Sequence, residues 1–229
     1  MPNRRRTLKQ LAGLGLSLCL PKLAMSQSAE ELPKVLLLGD SISMGYTPVV
    51  QEYLENKAIV VRPTFEDGRY ENCEGTTKGI RKVPLWIGNI AWDVIHFNFG
   101  LHDLKHVDPT TGKNSKNPLD PQQAAPKFYR KNLKAIVKYL KGTEAQLIFA
   151  TTTPYPTPVG GPLRLPGMPE RYNAIATKIM RKHKIPVNDL YDYVLPHLEE
   201  LQIPANVHFT EKGSQALGKQ VSEVIAQYL

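Results

Sequence analysis

Lys34-Val35-Leu36-Leu37-Leu38-Gly39-Asp40-Ser41-Ile42-Ser43 joins a short apolar run to a glycine and a cluster of small polar side chains. The run has the length of a buried strand, and glycine ends it. A helix is expected next, through about residue 57. Outward from this stretch the alternation repeats. Residues 58–61 read as a second strand, 92–100 as a third, 146–150 as a fourth and 185–190 as a short fifth. Helices are expected near 78–87 (interrupted by Pro84), 122–141, 170–183, 191–201 and 211–229. The helix over 122–141 is amphipathic, with Phe128, Leu133, Ile136, Val137 and Leu140 at helical spacing. Segments 63–79, 104–121 and 153–169 read as loops, and the last holds six prolines and three glycines. Strands alternating with helices predict an α/β fold: a mainly parallel five-stranded sheet between two helical layers. Such sheets bind ligands at the carboxyl ends of their strands.

Composition narrows the function. The 229 residues suit one domain, and 41% hydrophobic residues can fill its core. No apolar run reaches the ~18 residues of a membrane span, so stable membrane insertion is not expected. Two cysteines, Cys19 and Cys73, exclude a disulfide scaffold. The net charge of +8 is concentrated at one end: residues 1–26 hold Arg4, Arg5, Arg6, Lys9 and Lys22 and no acid. Without those five, 24 basic residues face 21 acidic ones, too small an excess for a nucleic-acid binder.

The same 26 residues have the three zones of an export signal: the arginine cluster, an apolar stretch over 11–20, and Ala24-Met25-Ser26. The run from Arg4 to Lys9 resembles the twin-arginine pattern, so bacterial export to the periplasm or beyond is expected. The alternative is an N-terminal amphipathic tail. The expected organisation is a signal peptide over 1–26, a linker over 27–33 and a catalytic domain over 34–229. Cleavage after Ser26 would leave Cys73 as a lone thiol.

Three segments carry residues that could do chemistry. Ser41 follows the first strand at a tight turn, where helix N–H groups can hold a developing negative charge. Gly100-Leu101-His102-Asp103 follows the third strand. Asn206-Val207-His208-Phe209-Thr210 precedes the last helix, and a histidine there can take a serine proton. Each feature alone has a plainer reading: a serine at a helix start is more often a cap.

Together they resemble the SGNH/GDSL hydrolase family. Gly39-Asp40-Ser41-Ile42 is similar to its first block, with Ile42 for leucine. Glu71-Asn72-Cys73-Glu74-Gly75-Thr76-Thr77 is similar to the second. Asn98-Phe99-Gly100-Leu101-His102-Asp103 falls at the third, and Val207-His208-Phe209-Thr210 with Gly213 at the fifth. The resemblance implies a flavodoxin-like three-layer sandwich and a serine esterase. It implies Ser41 as nucleophile, His208 as base, and an oxyanion hole from Ser41, Gly75 and His102. Asp40, Asn72, Asn98 and Asp103 are expected to support these groups. Neither a cofactor nor a metal is called for.

Three departures stand out. The family's usual aspartate three residues before the histidine is Ala205. A backbone carbonyl, Asp189 or Asp192 are the candidates to replace it. Losing such a carboxylate can cost ~10⁴ in turnover when nothing substitutes. The third-block asparagine is His102, whose ring N–H can also donate. Aligning the second block on Thr76 puts Glu74 at the glycine position, with Gly75 beside it.

The remaining readings are plainer. His102 and His106 could ligate a metal one turn apart, but no third ligand has a telling spacing. His96, Trp86 and Trp92 read as core, Cys73 as an inert thiol, and Tyr155 as a substrate contact. The expected partner is a small-molecule or carbohydrate ester, with an acetyl group on a sugar favoured. Leu163, Leu165 and Met168 would suit a lipid or thioester instead. Ala205 motivates a rival reading, a non-catalytic carbohydrate-binding protein.

Overall fold

Five strands carry the architecture: β1 (Lys34–Leu38), β2 (Ile59–Val61), β3 (Val94–Phe97), β4 (Gln146–Ala150) and β5 (Val187–Asn188). The computed structural model describes residues 31–229, and the expected export segment lies outside them. All strand pairs are parallel, in the order β2-β1-β3-β4-β5. Leu38 lies opposite Phe97, and Phe97 opposite Phe149.

Among the described residues seven α-helices accompany the sheet: α1 (Ser41–Tyr53), α2 (Thr76–Ile87), α3 (Pro126–Leu140), α4 (Met168–His183), α5 (Leu190–Val194), α6 (Leu198–Leu201) and α7 (Glu211–Ile225). Successive strand side chains point to opposite faces. Leu36 and Leu38 therefore pack with Val83, Leu133, Ile136 and Met180 of α2, α3 and α4. Val35 and Leu37 pack with Val50, Leu217, Val221 and Ile225 of α1 and α7. Both faces of β1 are buried, which is why its sequence is a continuous apolar run rather than an alternating one. The result is the expected three-layer α/β/α sandwich. Strand order reverses direction between β1 and β3, so a crevice opens at their carboxyl ends.

Several boundaries differ from the sequence reading. Pro84 does not interrupt α2. It lies in the last turn, where its missing N–H removes a single ladder bond, and Gly88 at φ +57 ends the helix. Helix α3 begins at Pro126, because residue 122 is paired with His106 in an antiparallel bridge. The helix expected over 191–201 is split by a 3₁₀ turn, Leu195–His197, containing Pro196. Segment 104–121 is not wholly exposed: Leu104, Lys105, His106 and Val107 are buried. Backbone bonds from His106 N–H to Leu163 O (2.9 Å) and from Val107 N–H to Pro121 O (2.9 Å) fold it inward.

Candidate active site

Ser41 is the first residue of α1, immediately beyond the carboxyl end of β1. Asp40 caps that helix, its Oδ1 accepting from Ile42 N–H at 3.0 Å. Burial raises the Asp40 carboxyl above its ordinary value, opposed by the Ile42 bond. The cap fixes the turn and leaves the Ser41 hydroxyl facing the crevice. Its Oγ lies 2.8 Å from His208 Nε2, across 167 residues of sequence.

His208 sits in a short, heavily bonded loop before α7. Ile203 N–H donates to His208 O (3.0 Å), and Thr210 N–H to Leu201 O (2.9 Å). Gln202 Nε2 donates to both Pro154 O and Val207 O at 3.0 Å. The residue that orients the imidazole is Asn206. Its Oδ1 accepts from His208 N–H at 3.0 Å and lies 2.9 Å from His208 Nδ1. The backbone N–H can only donate, so the oxygen of the amide must face it. The same oxygen then takes the Nδ1 proton. This leaves Nε2 with its lone pair toward Ser41, the tautomer a general base needs.

The sequence reading missed Asn206 because it looked for a carboxylate at the family's spacing. Ala205 occupies that position with φ +53, and its carbonyl accepts from Gly160 N–H at 2.8 Å. Asp189 is occupied elsewhere, accepting from Thr151 Oγ1 (2.9 Å) and Asp192 N–H (3.2 Å) as the cap of α5. An Asx side chain bonding the N–H two residues on is the local signal that could have identified Asn206.

The second loop approaches from the other side of the crevice. Asn72 Oδ1 accepts from Glu74 N–H at 2.8 Å, holding Glu74 at φ +54. The Gly75 N–H has no intramolecular acceptor among the described residues. A Cβ on Gly75 would lie 2.9 Å from Asp103 Oδ2, so only glycine fits there. Asp103 accepts from Thr76 N–H (2.9 Å) and the Thr76 hydroxyl, anchoring the start of α2. Burial lifts its carboxyl to about 7 against those donors.

At the end of β3, Gly100 lets the backbone pass Thr152, whose Oγ1 would sit 2.0 Å from an added Cβ. Asn98 Nδ2 ties the strand ends together by donating to Ala150 O at 2.7 Å. His102 follows on this loop. Burial first, then Lys105 and Arg164, lower its pKa to about 3, so it is neutral at physiological pH. Its Nδ1 is buried without a partner. An orphaned lone pair costs less than an orphaned N–H. The proton therefore belongs on Nε2, which makes that atom a donor.

A second group the sequence reading missed is Arg62, 2% exposed. Its Nη1 donates to Ser43 Oγ and Thr47 Oγ1, both 3.0 Å, and its Nη2 to Gly39 O (3.1 Å) and Glu71 O (3.2 Å). One guanidinium thus staples the nucleophile turn to the second loop, using the fork of donors only arginine offers. Arg62→Met is expected to cost on the order of 2–4 kcal/mol, since buried acceptors lose their donors. Urea denaturation measures it, and a midpoint unchanged from wild type would contradict the staple.

Other candidate residues have structural places. His106 Nδ1 lies 2.7 Å from Asp120 O, holding the loop. Tyr155, expected as a substrate contact, has a structural place instead. It is buried and donates to Leu165 O at 2.8 Å, pinning the proline-rich segment. Trp86 and Trp92 are core residues with their indole N–H groups on Glu71 (2.9 Å) and Ile87 O (3.0 Å). His96 is buried, with Nε2 3.3 Å from Asn188 Nδ2. Burial pushes the Cys73 thiol up to about 12, so it is inert as a nucleophile.

A serine hydroxyl on a correctly poised imidazole, at a crevice edged by free N–H donors, defines a serine hydrolase of the acyl-transfer kind. Residues 37–216 match the GDSL-like lipase/acylhydrolase family, and the chain belongs to it. No curated protein sequence matches. Among solved structures, the chain is similar to a lipase/acylhydrolase from Enterococcus faecalis, with 19% identity and TM-score 0.66, covering 86% of this chain and 96% of that one. It is also similar to the acetyl xylan esterase AlAXEase (16% identity, TM-score 0.64, 84% and 99% covered). A carbohydrate esterase family 3 protein from Talaromyces cellulolyticus shares 17% identity, with TM-score 0.61 and 86% and 97% covered. At these identities the likeness speaks for the fold.

Proposed function

We propose that this hydrolase is an exported esterase that removes acetyl groups from carbohydrate through an acyl-enzyme. The observation that carries the mechanism is the relay Ser41 Oγ–His208 Nε2 (2.8 Å) and His208 Nδ1–Asn206 Oδ1 (2.9 Å). His208 accepts the Ser41 proton as Oγ adds to the ester carbonyl. It then returns that proton to the departing alcohol. Water enters by the same route and releases acetate.

The tetrahedral oxyanion is held by the Ser41 and Gly75 N–H groups and His102 Nε2–H. Engagement of the neighbouring Glu74 N–H by Asn72 favours Gly75 as the second donor. His102→Phe is expected to lower kcat by ~10²–10³ with a smaller effect on KM, because the bond matters most in the transition state. His102→Asn, which restores an amide donor, is expected to recover most of the rate. Equal kcat for His102→Phe and wild type would take His102 out of the site.

A small polar substrate is supported by the tethering of the proline-rich segment. Leu163 N–H donates to Ser115 O (2.8 Å) and Gly160 N–H to Ala205 O (2.8 Å), leaving it unlike a loose apolar lid. Two solved structures with this fold are described as esterases of xylan or other carbohydrate. Export rests on the three zones of residues 1–26. Comparing p-nitrophenyl acetate with p-nitrophenyl octanoate tests the acyl preference. The acetyl ester is expected to have the higher kcat/KM, and an octanoyl preference would favour a lipid or thioester substrate.

A further inference from the structure

Two cations in the described part of the chain have their terminal nitrogens in use. Arg62 has four oxygen acceptors. Lys78 reaches Asn72 O at 2.7 Å and the Glu71 and Glu74 carboxylates at 3.1 and 3.4 Å. Two cations beside the catalytic pair break that pattern. Lys105 is only 9% exposed, yet among the described residues its Nζ has no hydrogen bond and no carboxylate within 4 Å. Arg164 is half-buried, its Nε wholly so, and its guanidinium has no acceptor among the described residues.

The fold brings these two together. The His106 N–H to Leu163 O bond joins the segment after β3 to the proline-rich segment, and Lys105 and Arg164 flank it. Lys105 is three residues beyond His102. Arg164 is four residues beyond Gly160, which is bonded to Ala205 in the loop bearing His208. The charges of both act on the His102 ring, and that of Arg164 acts on Asp40 next to the nucleophile. The acids whose charges act on Lys105 have other partners: Glu74 pairs with Lys78, Asp103 with Thr76 and Asp40 with Ile42. Burial lowers the pKa of each cation, and the Arg164 charge lowers that of Lys105 further. Two partly desolvated cations with no acceptor among the described residues are costly unless an anion joins them.

We propose that Lys105 and Arg164 form an oxyanion-binding subsite, and that the ester this enzyme cleaves carries a carboxylate or sulfate close to the scissile acyl group. The planar fork of Arg164 suits a two-oxygen contact, with Lys105 adding a point charge. The subsite deepens the esterase reading and rests on it for the reaction. It narrows the carbohydrate from a neutral to an acidic one.

The test uses three methyl glycosides acetylated at the same hydroxyl: glucose, glucuronate and glucose 6-sulfate. At low salt the anionic members are expected to exceed the neutral one in kcat/KM by about tenfold to a hundredfold, the size of a charged hydrogen-bond pair. The advantage should shrink in 1 M NaCl. In Lys105→Met/Arg164→Met the anionic-to-neutral ratio should fall toward one. Taking the ratio within each variant cancels any general loss of rate. Preference for the glucuronide or for the sulfate identifies which anion the subsite was built for. A ratio near one in the unaltered protein, or an undiminished ratio in the double variant, overturns the proposal. Should none of the acetyl esters be hydrolysed, the esterase reading falls separately. Calorimetric titration of Ser41→Ala with the same glycosides then decides the subsite: tighter anion binding supports it, and equal binding overturns it.

Discussion

Replacing Ser41 with alanine is expected to lower kcat for p-nitrophenyl acetate by on the order of 10⁴–10⁶, the range seen when an acyl-transfer nucleophile is removed. Ser41 donates no bond that holds the fold together; its one side-chain partner is His208. The α1 cap belongs to Asp40 and the turn to Ser43, which donates to Asp40 O at 2.7 Å. The variant should therefore unfold at the same temperature as the parent. Fluorophosphonate labelling should mark Ser41 in the parent and nothing in the variant. Undiminished hydrolysis by Ser41→Ala would remove the residue from the mechanism, and the covalent acyl-enzyme with it.

Asn206 gives the second large effect. Asn206→Ala should reduce kcat/KM by on the order of 10²–10³. Nothing else then selects the His208 tautomer, and wrong-tautomer imidazole is the larger part of what a triad loses with its third member. The fall should be smaller than the ~10⁴ of a charged partner, because an amide orients the ring without adding charge. Asn206→Asp puts a carboxylate in place of the amide, one position nearer to His208 than the family's aspartate. It should keep activity within about tenfold of the parent. It should also move the acid limb of the pH–rate profile upward, because a negative neighbour favours imidazolium. A structural role alone would not shift that limb. Full activity in Asn206→Ala would mean that His208 is positioned without a side-chain partner.

These two residues mark how far reading the chain carries. Ser41 was legible because its signal is local: an apolar run, glycine, an acid and a serine make a strand-to-helix turn within ten residues. The five strands and their parallel pairing were legible for a similar reason. Burial on both faces leaves a continuous apolar run, and helical connections between such runs demand parallel pairing. Boundaries slipped where a breaker fell in a helix's last turn, or where a tertiary bond overrode local propensity. Pro84 stayed inside α2 because the helix ended one turn later. The start of segment 104–121 turned inward because its backbone found partners in the proline-rich segment.

What the amino-acid order determined by itself was the layered sheet and the nucleophile, since both arise from neighbours a few positions apart. The guanidinium that staples two loops and the approach of Lys105 to Arg164 depend on the fold joining residues 9 to 23 and 59 positions apart, and the role of Asn206 depends on the fold carrying His208 to Ser41 across 167 residues. Residue type alone could not rank Asn206 above Asp189, or Arg62 above any other arginine. Only the folded chain removes water from some of these polar groups and supplies their acceptors, and that local solvation decides which of them act.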